Sequence, residues 1–496
     1  MANALLRFFI ARNGLREMPP RAGRMTDLLT TIYDKLPARL RSIAATFYGY
    51  RLRSWRYGPE TEQLVDEALS RDEWRPEKWH TWQQQRLAYT LHRAATRVPY
   101  YRAYWQRRRR GGDKGSWEYL ENWPVLGKQT LREQPEAFVA DDCNIKFLYS
   151  DQTSGTTGTP LKLWYDKKAL HAWHALFEAR ARRWHGVTRH ENWATLGGRQ
   201  VIPPHVKHPP FWVWNSPMRQ LYLSSSHIST ENVGFFVDAL DRYAVTHMVA
   251  YPSIAATLAA EAQRLNRKPA SLLVVISIAE PLTDDRRQII EVGLGCVARE
   301  TYGMSEIVAE ATECRARTLH LWPELGWIEV FSDTEDMEAP LGATGRIICT
   351  SLLNEAMPLI RYDVGDRTKR VSEDLSCSCG RTLPIIEAIE GRTNDLLLTE
   401  DNRRLYIPLS FVLNGLPIRE AQIVQESLNQ VRFRYVPADG FTQSAEQLIV
   451  ERIKSRLVGF RIIIEPVSKI ARDRNGKFQA VVRNVKRTDQ QAAYNG

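Results

Sequence analysis

Hydrophobic and polar positions alternate on two rhythms along the chain, and each change of rhythm marks an element. From Glu60 to Arg110 the pattern is helical and charged. Trp82, Leu87, Leu91 and Ala94 recur at helical spacing until Val98-Pro-Tyr-Tyr101 ends the run at a proline. Lys167–Trp184 reads as an amphipathic helix opened by Asp166, whose short carboxylate suits an N-cap. Glu231–Tyr243 and Pro252–Arg264 read as helices, with His247–Tyr251 a short apolar strand between them. Leu272–Ile278 is an unbroken apolar-rich run, the pattern of a strand buried on both faces of a parallel sheet. Thr283–Val292 then reads as a helix and Val297–Thr301 as a strand, completing a β-α-β unit. Pro209–Trp214 is aromatic and irregular. Beyond Leu319 the segments shorten to strand-like pieces: Gly326–Phe331, Gly345–Ser351 and Leu359–Asp366. Glu390–Asp395 is a breakpoint. The chain beyond it has strands within Gln422–Tyr435, a helix over Ser444–Leu457 and a strand over Arg461–Pro466, the size of a small α+β domain.

Composition narrows the classes. A chain of 496 residues is too long for one core, so two or more domains are expected. No apolar run approaches the ~20 residues that span a bilayer. Met1–Met25 is basic, and Arg7 breaks its apolar stretch, so it reads as a cytoplasmic N-terminal extension with Met18 and Met25 as candidate starts. The net charge of +11 is spread out, apart from Arg107–Arg110, read as a solvated turn with Gly111-Gly112, and the Arg472–Arg487 tail. No nucleic-acid motif accompanies it, so nucleotides and acidic small molecules are the expected partners, not nucleic acid.

Three stretches carry candidate chemistry. Ser150-Asp-Gln-Thr-Ser-Gly-Thr-Thr-Gly-Thr-Pro160 lies between the strand-like Lys146–Tyr149 and the apolar Leu163–Tyr165. Its glycines and hydroxyls can present N–H and O–H groups to phosphate, although such clusters are also plain surface loops. The P-loop spacing is absent around Gly155 and Gly158. Ala279–Pro281 and Tyr302–Glu306 come directly after strands, and in open α/β sheets ligands bind beyond the strands' carboxyl ends.

Thr153-Ser-Gly-Thr-Thr-Gly-Thr-Pro160, Ala279-Glu-Pro281, Tyr302-Gly-Met-Ser-Glu306, Tyr362-Asp-Val-Gly-Asp366 and Gly391-Arg-Thr-Asn-Asp395 occur in that order, with Gly476-Lys477 near the end. The ordered set resembles the adenylate-forming superfamily of acyl-CoA synthetases and related ligases. Within it the chain is most similar to the phenylacetate–CoA ligase branch with its capsular-polysaccharide-associated members, over about Glu60–Val485. The resemblance implies an α/β fold: a large adenylate-forming domain of mixed sheets and helices with a β-rich end, plus a small mobile α+β C-terminal domain. Residues 1–59 would be the extension, 60–391 the ATP- and substrate-binding domain and 392–496 the lid.

The family's reaction is attack of a carboxylate on the α-phosphate of ATP, so positive charge and oriented N–H groups must offset the meeting of two anions. The resemblance implies that Ser154, Gly155, Thr156, Thr157, Gly158 and Thr159 cradle the β- and γ-phosphates, with Thr156 or Thr157 beside Mg²⁺. Glu306 would hold Mg²⁺, a hard cation suited to carboxylate oxygen. Tyr302 would stack on adenine with Gly303, Met304 and Ser305 beside it, and Ala279, Glu280 and Pro281 would line the base site. Asp366 would bind the ribose hydroxyls, Arg392 would sit near ribose and phosphate, and Lys477 would stabilise charge at the α-phosphate. Two departures stand out. Asn394 replaces the first acidic residue of the family's pivot, and Leu161 separates Pro160 from Lys162.

Cys314 and His320 precede Cys377-Ser-Cys379, a Cys₃His set suited to structural zinc, and members of the branch are similar in carrying such a site. Reduced metal-free side chains are the alternative. Cys143, Cys296 and Cys349 are expected to be small core residues. Trp212, Trp214 and Tyr251 are expected to wall the acid pocket. The expected activity is ATP-dependent formation of an acyl adenylate with release of pyrophosphate, then transfer to CoA or another thiol, in a cytoplasmic and possible homodimeric enzyme. An AMP-forming amide or ester ligase, or an adenylyltransferase acting on a polysaccharide or coenzyme, is the alternative. A non-catalytic nucleotide-binding scaffold is the remaining class.

Overall fold

A computed structural model describes residues 33, 35–152, 161–197, 201–203, 205–333, 335–372, 374–389, 391–392, 397–399, 404–405, 409–413, 416–454, 457, 459–472 and 478–485. The chain forms two compact units, Met1–Val364 with Lys369–Ala388 and Gly365–Thr368 with Ile389–Gly496.

In the first unit, β1 (Tyr149–Gln152) and β2 (Lys162–Tyr165) form an antiparallel hairpin with Gln152 opposite Lys162. Lys146, expected in a strand, lies instead in a 3₁₀ turn, Ile145–Phe147. The Asn144 side chain there accepts from the Lys146 N–H at 3.1 Å, a local bond that competes with a ladder. The main sheet has a parallel centre made of β3 (Trp193–Gly197), β5 (Gln220–Ser224), β6 (His247–Ala250), β7 (Val274–Ser277) and β8 (Val297–Gly303). The antiparallel β4 (Trp212–Asn215) closes one edge, and β9 (Glu310–Glu313), β10 (Leu319–Leu321) and Ile385–Ile386 extend the other. β6 and β7 are buried throughout, which is why they read as apolar runs. The expected helix Pro252–Arg264 is found with its proline at the first turn. The next, Asp284–Leu294, is capped by Thr283 and stopped by Gly295 at φ 69°. These two helices approach backbone to backbone: a Cβ on Gly293 would stand 2.3 Å from the Ala259 carbonyl oxygen.

Four local expectations are corrected. Proline ends the Pro76–Arg97 helix, but Pro99 opens another, Pro99–Arg110, at the position where its missing N–H is not needed. Arg107–Arg110 are therefore a last helical turn. Asp166 does cap a helix, accepting from the Ala169 N–H at 2.7 Å. That helix is α-helical only over Lys167–Leu176, widens to a π-helical stretch over Phe177–Arg182 and tightens over Arg183–His185. The widened turns carry Arg180 and Arg182 inward. Arg180, fully buried, meets Asp72 at 2.9 Å and Glu324 at 2.7 Å, and Arg182 meets Glu178 at 3.3 Å. Trp212–Asn215, expected to be irregular, is the edge strand β4. Finally, part of the expected extension belongs to the fold: the helix Ala38–Arg56 lies along β4. Ala44, Ala45 and Gly49 allow the close approach, since a Cβ on Gly49 would overlap the Asn215 side chain.

The unit continues with β11 (Gly326–Phe331), antiparallel to β12 (Thr344–Ser351), and enters β13 (Tyr362–Lys369), within which the division between units falls. In the second unit Asp366 pairs in register with Arg392. β14 (Ile418–Ser427) and β15 (Gln430–Pro437) form an antiparallel pair flanked by the parallel strands β16 (Arg461–Pro466) and β17 (Val481–Arg483). Helix Gln443–Lys454 buries Ile449 and Ile453 against this sheet with Ile423, Phe433 and Tyr435. This is the small α+β domain expected. The compact unit that holds it is Gly365–Thr368 with Ile389–Gly496.

Candidate active site

The carboxyl ends of β6, β7 and β8 bring three separated stretches to one edge of the sheet. Tyr251 follows β6, Ala279–Pro281 follows β7, and Tyr302–Gly303 end β8 with Met304–Glu306 just beyond. Ala279 (φ 66°) and Ile307 (φ 52°) hold a left-handed backbone that costs a residue with a Cβ about 1–3 kcal/mol, a strain that gathers at functional sites. The Glu280 carboxylate, buried, accepts from the Ser253 N–H at 3.1 Å and lies 3.7 Å from Arg286. It thereby ties the β7 loop to the positive N-terminus of the helix Pro252–Arg264. Gly303 is required where it stands, because a Cβ would come within 2.5 Å of the Glu310 carboxyl opposite it on β9. Burial pushes the Glu310 carboxyl well above the usual range, while Trp173 Nε1–H donates to it at 2.7 Å.

Glu306 is the focus of a second group of contacts. It is 5% exposed, accepts the Tyr362 hydroxyl proton at 2.6 Å and lies 3.9 Å from Lys128 Nζ. Both contacts meet Oε1. Burial first, and then the Glu306 charge, drive the Tyr362 hydroxyl far above its ordinary pKa, so it remains a donor. Lys128 is placed by Leu126, which exchanges backbone bonds with Arg361 (2.8 Å) and Asp363 (3.0 Å) at the start of β13. Tyr165, at the end of β2, donates its hydroxyl to the Ser305 carbonyl, so the hairpin that carries the 153–160 connection is fastened to the Tyr302–Glu306 stretch. A cavity of about 300 Å³ lined by Leu64, Trp82, Arg86, Asp166 and Glu355 contains none of these motif residues.

Away from that edge, Cys314, His320, Cys377 and Cys379 bring their ligand atoms within 4.8 Å of one another. Cys314 and Cys377 sulfurs are 3.7 Å apart, and Cys379 Sγ lies 3.4 Å from His320 Nε2. His320 Nδ1 lies 3.1 Å from the Leu383 carbonyl, an acceptor that fixes the proton on Nδ1 and leaves the Nε2 lone pair facing the sulfurs. The donor set suits tetrahedral zinc. Cys349 is buried as expected, whereas Cys143 and Cys296 are half-buried.

Residues 400–484 match the CapK C-terminal domain model. Protein CapK of Staphylococcus aureus is 24% identical over 381 residues, 74% of this chain and 81% of that protein. The phenylacetate-coenzyme A ligase of Pseudomonas putida is 28% identical over 340 residues, 64% of this chain and 71% of that one. The chain is similar to CapK and to the phenylacetate-coenzyme A ligases. Its fold agrees: 2-hydroxyisobutyryl-CoA ligase, solved in the postadenylation state with an acyl adenylate, superposes with a TM-score of 0.63 at 20% identity, covering 86% of this chain and 94% of that one.

Within this fold most of the site residues fall into three groups. Tyr251, Ala279, Glu280, Pro281, Tyr302, Gly303, Met304, Ser305 and Glu306 meet at the sheet edge. Asp366 is buried and opposite Arg392 within the second unit. Ser154, Gly155, Thr156, Thr157, Gly158, Thr159 and Lys477 lie outside the described residues. The two tryptophans are separated. Trp212 pairs with Leu223 near the carboxyl end of β5, whereas Trp214 stacks at 4.8 Å on Tyr243. Tyr243 precedes β6 while Tyr251 follows it, so Trp214 belongs to the opposite end of the strands. Sequence reasoning missed Lys128, Tyr165, Trp173 and Glu310. A carboxylic residue inside the short strand Glu310–Glu313 was the one available signal; the others depend on partners more than 130 positions away.

Proposed function

We propose that the chain activates a carboxylic acid with ATP, releasing pyrophosphate, and passes the acyl group of the adenylate to coenzyme A or another thiol. The carboxylate oxygen bonds to the α-phosphorus as the bond to the pyrophosphate oxygen breaks; the thiolate then takes the acyl carbon and AMP leaves. The observation that carries this reading is Glu306, buried at the carboxyl edge of a parallel sheet between a tyrosine hydroxyl and a lysine. A buried carboxylate there needs cationic company, and both described partners occupy only Oε1, so Oε2 is suited to a hard cation. Mg²⁺ would be held by Glu306 and Thr156, and when bound it would offset phosphate charge. Asp366 would accept from the ribose hydroxyls, Arg392 would sit near the ribose and phosphate, and Lys477 would face the α-phosphate. The names of the relatives support the same reading: three of them are phenylacetate-coenzyme A ligases matched over 64% of this chain.

A second reading keeps adenylation and changes the acceptor to an amine, sugar or coenzyme. It is favoured by the C-terminal match to CapK and by Asn394 in the pivot. Zinc in the Cys314, His320, Cys377 and Cys379 cluster would be structural, since four protein ligands close the tetrahedron.

ATP–pyrophosphate exchange over aryl, aliphatic and amino acids tests the first step. Exchange with at least one acid, and its loss in Lys477→Ala with nucleotide binding retained, is expected. Nucleotide binding with no exchange for any acid would sink the reading in favour of a scaffold or direct adenylyl transfer. Adding coenzyme A, then amines, and weighing the product separates the acceptors.

A further inference from the structure

The helix Ala38–Arg56 has two faces that differ from the usual surface helix. Arg41, Ala44, Ala45, Tyr48, Gly49 and Leu52 are buried against β4 and its neighbours. The opposite face is apolar as well: Leu40, Ile43, Phe47 and Tyr50 are 45%, 48%, 51% and 62% exposed. Steps of three, four and three place these side chains in one stripe over about three turns. The support is fixed, because the Trp214 N–H of the edge strand and the Ser216 N–H just beyond it donate to Ser42 (3.3 Å) and Thr46 (3.5 Å). The stripe is therefore presented outward by a helix that is already packed. A contiguous exposed apolar patch of this kind marks an interaction surface.

Charge indicates what covers it. The helix carries Arg39, Arg41, Arg51, Arg53 and Arg56 and no acidic residue. Arg39 stands one turn from Ile43 on one border of the stripe, and Arg51 one turn from Phe47 on the other. We propose that this face docks on an anionic lipid surface, the apolar stripe entering the headgroup–acyl boundary and the bordering guanidinium groups meeting lipid phosphates. Such geometry is that of an interfacial helix lying in the membrane plane. Guanidinium pairs with phosphate in two parallel hydrogen bonds, and Phe and Tyr rings suit the interfacial depth. The net charge of +11 adds attraction at longer range.

The other occupants fit less well. A second copy would set one arginine-bordered stripe against another. Four half-exposed side chains offer about 400 Å², against about 800 Å² per partner in a stable interface. Residues 1–32 hold five arginines, at 7, 12, 16, 21 and 24, against Glu17 and Asp27, so they share the sign of the face they would cover.

Co-sedimentation of the full chain with vesicles of phosphatidylcholine plus phosphatidylglycerol, and of phosphatidylcholine alone, tests the proposal. Binding to the anionic vesicles is expected to be roughly tenfold stronger or more and to weaken with added salt. Replacing Leu40→Gln, Ile43→Gln, Phe47→Gln and Tyr50→Gln together should abolish binding while leaving the circular dichroism and melting profile unchanged. Phe47→Gln alone serves if the fourfold variant folds poorly. Arg39→Gln with Arg51→Gln should reduce the preference for anionic lipid. The proposal is overturned if the parent chain ignores anionic vesicles, or if the folded stripe variant (fourfold or Phe47→Gln) binds as the parent does, or if the double arginine variant keeps the parent's preference for anionic lipid. It is equally overturned if light scattering finds a dimer that the stripe variant dissolves, or if deleting residues 1–32 abolishes binding with the stripe intact.

Discussion

Tyr362 and Glu306 form the contact on which the candidate site turns, and a single atom tests it. Tyr362→Phe removes only the hydroxyl that donates to Glu306 at 2.6 Å. Hydrogen bonds to charged groups contribute about 1.5–3 kcal/mol, so a loss of about tenfold or more in pyrophosphate exchange is expected if that carboxylate is held for catalysis. An unchanged exchange rate would detach Tyr362 from the reaction. Glu300 offers a pH test at the same scale. Its carboxyl is pushed from 4.5 to about 7 by burial first, with the Glu313 charge adding to it and the bond from the Leu282 N–H opposing. Between those values the folded state keeps a proton that the unfolded chain has lost. This carboxyl therefore supports folding fully below about 4.5, and that support is withdrawn as pH rises toward about 7. Urea midpoints measured at about pH 5 and about pH 8 should accordingly differ less in Glu300→Gln than in the parent.

At the scale of elements, the widened helix after Leu176 and the tight helix pair at Gly293 carry predictions of opposite kinds. Arg180 is enclosed by Asp72 and Glu324, with Trp184 also donating to Asp72 at 2.7 Å. Arg180→Met would take from the buried Asp72 and Glu324 the guanidinium that bonds both, leaving only Arg381 at 3.7 Å and Arg71 at 3.8 Å, and removal of one partner of such a pair costs about 3–5 kcal/mol. Chemical denaturation at neutral pH should show that loss. Gly293→Ala instead forces a methyl toward the Ala259 carbonyl, and overpacking of this kind costs about 1–3 kcal/mol. These two sites also show what the sequence could carry. The strands and helices around Pro252–Arg264 were legible because period and caps are local. The π-helical stretch was not, since one inserted residue hardly disturbs a helical pattern while it redirects two arginines. The Ala38–Arg56 helix was hidden for another reason: with apolar residues on two faces and arginines between, its pattern does not declare which face is buried. Lys128 and Tyr165 were invisible because their partners are set by topology, whereas the ordered motifs at Ala279 and Tyr302 needed only the rule that ligands sit beyond strand ends.

At the scale of the molecule, the cysteine cluster joins distant segments of the first unit. Cys314 lies in the β9–β10 turn, and Cys377 and Cys379 lie 63 and 65 positions on, in the stretch that returns to the sheet edge as Ile385–Ile386. The same stretch reaches Asp72, since the Thr382 N–H donates to the Asp72 carbonyl at 3.2 Å and Arg381 lies 3.7 Å from the Asp72 carboxylate. A metal held there would close a long loop and bind the folded state alone, so its binding free energy would add to folding. None of the four ligands belongs to the Tyr302–Glu306 stretch, so loss of the metal should act through stability and not through the chemical step. Gently purified protein is expected to contain about one zinc per chain. Cys379→Ser should lower both the zinc content and the thermal midpoint, and pyrophosphate exchange measured well below that midpoint should remain near the parent's. Protein that carries no zinc, and whose midpoint a chelator leaves unmoved, would make the cluster four reduced side chains packed together. Exchange lost in step with zinc, at temperatures where the variant is folded, would instead place the metal in the chemistry and remove its structural assignment.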